Sequence, residues 1–272
     1  MRNFLRPALA ALLMVFAASS VSASDIRMMA AGSLKDALTA AFADYGKQHG
    51  ATFAPVWGPS GVLRERLQKG EAFDVFASAA LPHAQALTDA GISGASVMFA
   101  RNALCIVTSA GRPLDGNNLV ETLLKPGVRI GTSTPGADPG GDYTWELFHR
   151  IEAGGAAGAF EILSKKAQQL FGGATTAAPV DGRHRLLAAL DDGKIDLFVY
   201  YCSSAQFMVG AAPKKYRMIG LPPELSVGPE YGLTVSKSAS PAAADFAMYL
   251  LSPQGQRTLK AYGFIPVALP AE

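Results

Sequence analysis

Two rhythms of apolar residues follow one another along this chain: short unbroken runs of strand length, and longer stretches in which apolar residues recur every three or four positions. Residues 26–30 are of the first kind. The stretch opening at Ser33, with Leu34, Ala37, Leu38, Ala41, Phe42 and Tyr45 on one face, is of the second. A 3.6-residue recurrence predicts an amphipathic helix, and a short continuous apolar run predicts a buried strand. By the same reading 52–57 and 73–78 are strands, and 60–69 and 82–90 are helices. Strands alternating with helices imply βαβ units and a largely parallel sheet.

The alternation stumbles at 97–100 and 103–108, two strand-like runs with no room for a helix between them. A second series then begins, with a helix over 119–124, a strand over 128–132, helices over 141–153, 160–171 and 183–192, and a strand over 195–201. Strands at 216–221 and 231–235 and helices at 242–251 and 253–262 close the chain. The first series has too few strands for a full sheet, so the tail is expected to return and complete it. The expectation is an α/β chain of two lobes with mostly parallel sheets and a ligand cleft between them. Residues 24–105 with 222–272 form lobe 1, and 106–221 form an inserted lobe 2.

Ahead of this pattern, Arg2 and Arg6 precede an apolar stretch at 7–16 and then small residues ending in Val21-Ser22-Ala23. That order of basic end, short apolar core and small residues is a secretory signal. The core is shorter than the 18 or so residues that span a bilayer. Cleavage after Ala23 takes 23 of the 272 residues and leaves 249. The expected location of the mature protein is therefore outside the inner membrane.

This leader changes the charge. The whole chain has 24 Lys+Arg against 22 Asp+Glu, but the leader holds two arginines and no acid, so the mature balance is 22 against 22. Nucleic acid is not an expected partner, because a basic stripe is its minimum footprint. A composition 49% hydrophobic and 17% charged excludes a disordered chain. Cys105 and Cys202, the two cysteines, would sit in an oxidising compartment. They form either a disulfide or two thiols, and as thiols they could be soft metal ligands.

Candidate chemistry gathers at helix starts. Ser33 follows Met29-Ala-Ala-Gly32, and Ser60 follows Gly58-Pro59. Each serine reads either as a helix N-cap, with Asp36 as a capping-box partner for the first, or as one of two donors converging on an anion. In parallel sheets both helix starts lie at the carboxyl ends of strands, the usual ligand edge. The glycine-rich segment 131–143 ahead of a helix, and Val180-Asp-Gly182-Arg183 ahead of another, expose further backbone N–H groups. Tyr200 and Tyr201 end a strand. Enzyme signatures are weak: Gly58-Pro-Ser60-Gly61 lacks the spacing of Gly-x-Ser-x-Gly, no local motif marks His49, His83, His149 or His184 as a base, and zinc spacing is absent. A secreted hydrolase using Ser60 is the reading from a different class.

The combination of Ala-Ala-Gly-Ser33-Leu, Gly-Pro-Ser60-Gly, Phe73-Asp-Val-Phe-Ala-Ser78 and Ser252-Pro-Gln-Gly-Gln resembles the periplasmic molybdate-binding proteins of ABC transporters, which are type II solute-binding proteins. The resemblance implies a non-enzymatic, monomeric receptor that holds molybdate or tungstate between its lobes and delivers it to a membrane permease. It implies no cofactor and no direct protein–metal ligand. By motif, Ser33 and Ser60 would bind through hydroxyl and N–H, Gly140 and Gly182 through backbone N–H, and Tyr200 through its phenol. Asp142 departs from the family pattern; since a carboxylate beside a dianion is repulsive, either it points away as a helix N-terminal acid or the ligand is different, and Tyr201-Cys202 departs from the small residues expected after the tyrosine. Together they leave open a metal or metalloid ligand held by Cys202 and Asp142.

Overall fold

The computed structural model describes residues 25–173 and 184–269. The signal segment expected at 1–23, Gly182, and Arg183, the first residue of the helix expected over 183–192, lie outside the described residues. Two five-stranded sheets organise the rest. The first is built from β1 (Ile26–Ala31), β2 (Phe53–Gly58), β3 (Val75–Ser78), β4 (Val97–Arg101) and β10 (Glu230–Val235), in the order β2-β1-β3-β10-β4. The second is built from β5 (Leu104–Ser109), β6 (Ile130–Ser133), β7 (Ala167–Phe171), β8 (Leu197–Tyr201) and β9 (Tyr216–Gly220), in the order β7-β6-β8-β5-β9.

Both sheets obey one plan. Three neighbouring strands run parallel, the fourth is reversed, and the edge strand pairs antiparallel with that reversed strand. In each sheet, then, a single strand opposes the rest: β10 in the first and β5 in the second. Each of these comes from the far side of a crossing between the sheets. The chain leaves the first sheet through Asn102 and Ala103 and returns through 221–229, and Asn102 N–H donates to the Pro229 carbonyl at 3.0 Å to tie the two crossings together. The first sheet's last outgoing strand ends at Arg101, so Cys105, placed at the end of the first segment by sequence, stands inside β5 of the second sheet.

The helices are α1 (Lys35–His49), α2 (Ser60–Gln68), α3 (Leu81–Asp89), α4 (Leu119–Leu124), α5 (Pro139–Ala153), α6 (Ala159–Lys166), α7 (Arg185–Asp191), α8 (Cys202–Ala211), α9 (Pro241–Leu251) and α10 (Pro253–Ala261). Their apolar stripes close the sheets. On α1 the buried residues are Ala37, Leu38, Ala41, Phe42 and Tyr45, the predicted face. Phe42, Phe53 and Phe246 stack and tilt against one another there, bringing the C-terminal α9 onto the N-terminal sheet. Two elements differ from expectation. The helix expected over 160–171 stops at Lys166, and 167–171 pair with β6 as the edge strand β7. Residues 202–211, assigned no element, form α8. Among the described residues no helix is long and apolar enough to cross a membrane.

Candidate functional site

Strand ends from the two sheets face a common cavity of about 220 Å³. From the first sheet come Ala31, Gly32 and Ser33 after β1, and Trp57, Gly58 and Pro59 at the end of β2. From the second come Asp138 ahead of α5, Phe171 and Gly172 at the end of β7, and Tyr200 and Tyr201 closing β8. Every contributor sits at the carboxyl end of a strand or the amino end of a helix, where open α/β sheets take their ligands.

The two serines differ in their surroundings. Ser33 lies in a 3-10 turn, Gly32–Leu34, and makes no helix cap. Its hydroxyl lies 3.0 Å from the Tyr231 hydroxyl. Tyr231 in turn accepts from Asn102 Nδ2 at 3.2 Å, and the same nitrogen donates to Ser203 Oγ at 2.7 Å. A buried polar chain thus runs from the cavity through the crossing residue Asn102 to α8 in the second half of the molecule. Ser60 is fully buried, and its Oγ accepts the Ala79 N–H at 3.0 Å. It stands directly behind the lining residue Pro59, and Pro59 rather than Ser60 is the N-cap of α2.

Tyr200 and Tyr201 both line the cavity. Burial raises the pKa of both phenols, so each is an un-ionised O–H donor at neutral pH. They are not equivalent. Among the described residues the Tyr201 hydroxyl is buried and has no hydrogen-bond partner, an arrangement that costs free energy. A β-carbon added at Gly140 would lie 3.5 Å from Tyr201 Cε2, so this ring covers the start of α5.

That start is where the sequence reading needs correcting. Asp138 is the N-cap of α5, followed by Pro139 in the first turn. Its Oδ1 accepts the Gly140 N–H at 3.3 Å, so the amide expected to face the ligand is engaged by a carboxylate, and Gly140 does not line the cavity. Its Oδ2 accepts a hydrogen bond from Ser133 Oγ. Asp142 takes the first of its two alternatives: it points away, accepting the Gly136 N–H at 2.7 Å. The acid in the cavity is Asp138. Removal from water pushes its carboxyl up to about 6, against the Ser133 and Gly140 hydrogen bonds that favour the ion, with Asp142 adding to the rise.

A family model described as "Bacterial extracellular solute-binding protein" matches residues 26–265. The chain belongs to that family. A relative of this solute-binding protein, an uncharacterized protein of Pasteurella multocida, is 31% identical over 242 residues, covering 89% of this chain and 98% of its own. Among solved structures, the periplasmic molybdate-binding protein of Azotobacter vinelandii is similar with a TM-score of 0.70 at 20% identity, covering 91% of this chain and all of that one. The sulfate-binding protein SubI of Mycobacterium tuberculosis is similar with a TM-score of 0.72 at 17% identity, covering 90% of this chain and 87% of that one. At these identities the likeness is one of fold.

For a solute-binding protein the donor set is informative. Among the described residues no lysine, arginine or histidine lines the cavity, and the polar side chains that do are those of Ser33, Trp57, Tyr200, Tyr201 and Asp138. Neither residue offered for a metal or metalloid ligand is available to hold one. Cys202 is joined to Cys105 in a disulfide, so it offers no thiolate, and Asp142 is bonded to its own loop. Among the described residues no group of three His, Cys, Asp or Glu could hold a metal ion. The hydrolase reading loses its nucleophile, since the Ser60 hydroxyl is buried against a backbone amide. Asp138 and Tyr201 are polar cavity-lining residues that sequence reasoning did not assign to the site. Asp followed by Pro at a helix start is an N-cap signature, and it was the available signal.

Proposed function

We propose that the mature protein is a periplasmic receptor that captures a tetrahedral oxyanion, molybdate or tungstate, and presents it to the membrane permease of an ABC importer. The observation that carries this reading is a single cavity lined by Ser33, Tyr200 and Tyr201, with no lysine, arginine or histidine among its described lining residues. A group of neutral donors of this kind is suited to an acceptor-rich ligand and needs no counter-cation. The energetics suffice. About six hydrogen bonds to a charged group, at roughly 1.5–3 kcal/mol each, supply on the order of 10–15 kcal/mol before the costs of association. Micromolar to nanomolar binding needs only about 8–12 kcal/mol. Between oxyanions, neutral donors discriminate little by charge, so cavity size and hydrogen-bond direction select among them.

Calorimetric titration of the purified mature chain with molybdate, tungstate and sulfate tests this proposal. The expected result is saturable binding of the first two. Absence of heat and of thermal stabilisation with all three overturns it.

A further inference from the structure

A carboxylate in a cavity meant for a dianion poses a problem of charge that a proton solves. Asp138 is the acidic side chain that lines the cavity, and every other group facing it can be named among the described residues. From β6 comes the Ser133 hydroxyl; from α5 come the Gly140 N–H and the Asp142 carboxylate; from the end of β7 come Phe171 and Gly172; from β8 come the two phenols. The first sheet contributes Ala31, Gly32, Ser33, Trp57, Gly58 and Pro59, none of them charged. With no cation among these groups, an ionised Asp138 and a dianion would face each other uncompensated. Tyr200 and Tyr201 line the same cavity as neutral phenols and bring no compensating charge.

We propose that Asp138 is a specificity-determining residue of this cleft, holding the bound oxyanion through one shared hydrogen between a carboxyl oxygen and an oxygen of the anion. The inference rests on the oxyanion reading above and deepens it. An anion that carries a hydrogen of its own donates it to the ionised carboxylate. A fully deprotonated anion such as molybdate binds only as Asp138 takes one proton from solvent, after which the carboxylic O–H donates to the anion and no bond to molybdenum forms or breaks. The Ser133 and Gly140 donors remain on the same carboxyl in either case. With the free carboxyl titrating near 6, the proton is scarce at higher pH and binding of molybdate carries its cost.

The experiment is titration of the mature wild-type chain and of Asp138→Asn with sodium molybdate from about pH 5.5 to pH 8.5, in buffers of different ionisation heat so that proton uptake is counted. Asparagine is an equally good N-cap, so the variant keeps the start of α5. Expected for wild type is a Kd that rises up to about tenfold per pH unit above pH ~6, with about one proton taken up per molybdate. Expected for Asp138→Asn is a Kd that changes little with pH, no uptake, and tighter binding than wild type at the alkaline end. Wild-type binding that is independent of pH and takes up no proton overturns this inference while leaving the oxyanion reading in place. Uptake that persists in Asp138→Asn assigns the proton elsewhere and also overturns it. Absence of binding in both forms at every pH overturns the oxyanion reading, and this inference with it.

Discussion

Gly61 donates its backbone N–H to the Ala137 carbonyl at 3.1 Å, fastening the first turn of α2 to the loop ahead of α5 across the cavity. A β-carbon at position 61 would stand 2.7 Å from the Ala137 oxygen and 2.8 Å from the Gly136 oxygen, both backbone atoms that cannot swing aside. The closed approach of the two halves therefore requires glycine here. Alanine in a helix is favoured over glycine by roughly 0.5–1 kcal/mol. In Gly61→Ala the backbone clash outweighs that preference, so the melting temperature is expected to fall. The approach of α2 to the loop ahead of α5 is hindered as well, and the affinity for molybdate should fall by about tenfold or more. Scattering measurements should show a larger radius of gyration than wild type in saturating ligand. A variant that closes and binds like wild type would show that this contact is incidental.

The Tyr201 hydroxyl supports a prediction of opposite signs. Tyr201→Phe removes a buried polar atom that has no partner, so the ligand-free protein should gain stability, by up to about 1 kcal/mol. The same change deletes a donor to the anion and should weaken molybdate binding by roughly 1.5–3 kcal/mol. Ser33→Ala should weaken binding by about 1–3 kcal/mol and, because it breaks the contact with the Tyr231 hydroxyl, lower stability as well. Chemical denaturation and calorimetry on both variants check the pair. Loss of stability in Tyr201→Phe would mean that its hydroxyl is satisfied in the free protein.

Much of this architecture was legible in the alternation of apolar rhythms, because core burial imposes those rhythms directly on sequence. The face of α1, the span of α2 and the strands near 26–30, 73–78 and 103–108 needed no knowledge of their partners. What failed was set by tertiary pairing. Ala167–Phe171 continues the apolar spacing of α6, yet it becomes an edge strand because β6 offers a parallel partner, and an edge position is only part-buried and so leaves no continuous apolar run. The α8 segment follows a strand without a break, and its small, uncharged residues show no polar face. At the site, Ser33 and Tyr200 were readable as helix-start and strand-end positions. The choice between Asp138 and Asp142 was not, because either acid suits the first turn of a helix and only the fold decides which one turns back to its loop.

Cys105 and Cys202 are linked with their α-carbons 5.0 Å apart, at the place where β5 runs antiparallel beside β8 and the chain turns into α8. The bridge closes a separation of 97 residues that includes most of the second sheet. Constraint of so long a loop in the unfolded chain corresponds to about 4–5 kcal/mol in the entropy model, and measured values are commonly nearer 2–4. Neither cysteine lines the cavity. Reduction is therefore expected to lower unfolding stability by about 2–4 kcal/mol while molybdate affinity in the still-folded protein changes little. Denaturant titrations with and without a thiol reductant measure the first effect, and calorimetry under the same conditions measures the second. A large loss of affinity in reduced, folded protein would place the disulfide in the binding machinery.

The two sheets are braced by the same device at their amino-terminal edges. In the first, Asp74 ahead of β3 accepts the Arg27 backbone N–H at 2.8 Å and the Arg27 guanidinium at 2.8 and 3.0 Å. In the second, Asp196 ahead of β8 accepts the Arg129 backbone N–H at 2.8 Å and its guanidinium at 3.0 and 3.1 Å, with Arg112 adding a further contact at 2.6 Å. Burial pushes the Asp74 carboxyl up, but the hydrogen bonds and charge of Arg27 outweigh it and hold the group below its ordinary 3.8. Arg129 holds Asp196 below the same value against a smaller effect of burial. A folded-state pKa below the unfolded one means that the stabilisation is fully present above pH ~3.8 and is lost as pH falls through the lowered value. Each arginine is roughly half exposed, so removing its partner strands no buried charge. Asp74→Asn and Asp196→Asn should each destabilise the protein by about 1.5–3 kcal/mol at pH 7. The two effects should add, since the clamps lie in different sheets and share no partner. The deficit of each variant relative to wild type should shrink below pH ~3.8, where wild type loses the same interaction. Unfolding curves from about pH 3 to pH 7 follow that convergence, and a deficit that stays constant down to pH 3 would assign the role of these aspartates to shape rather than to charge.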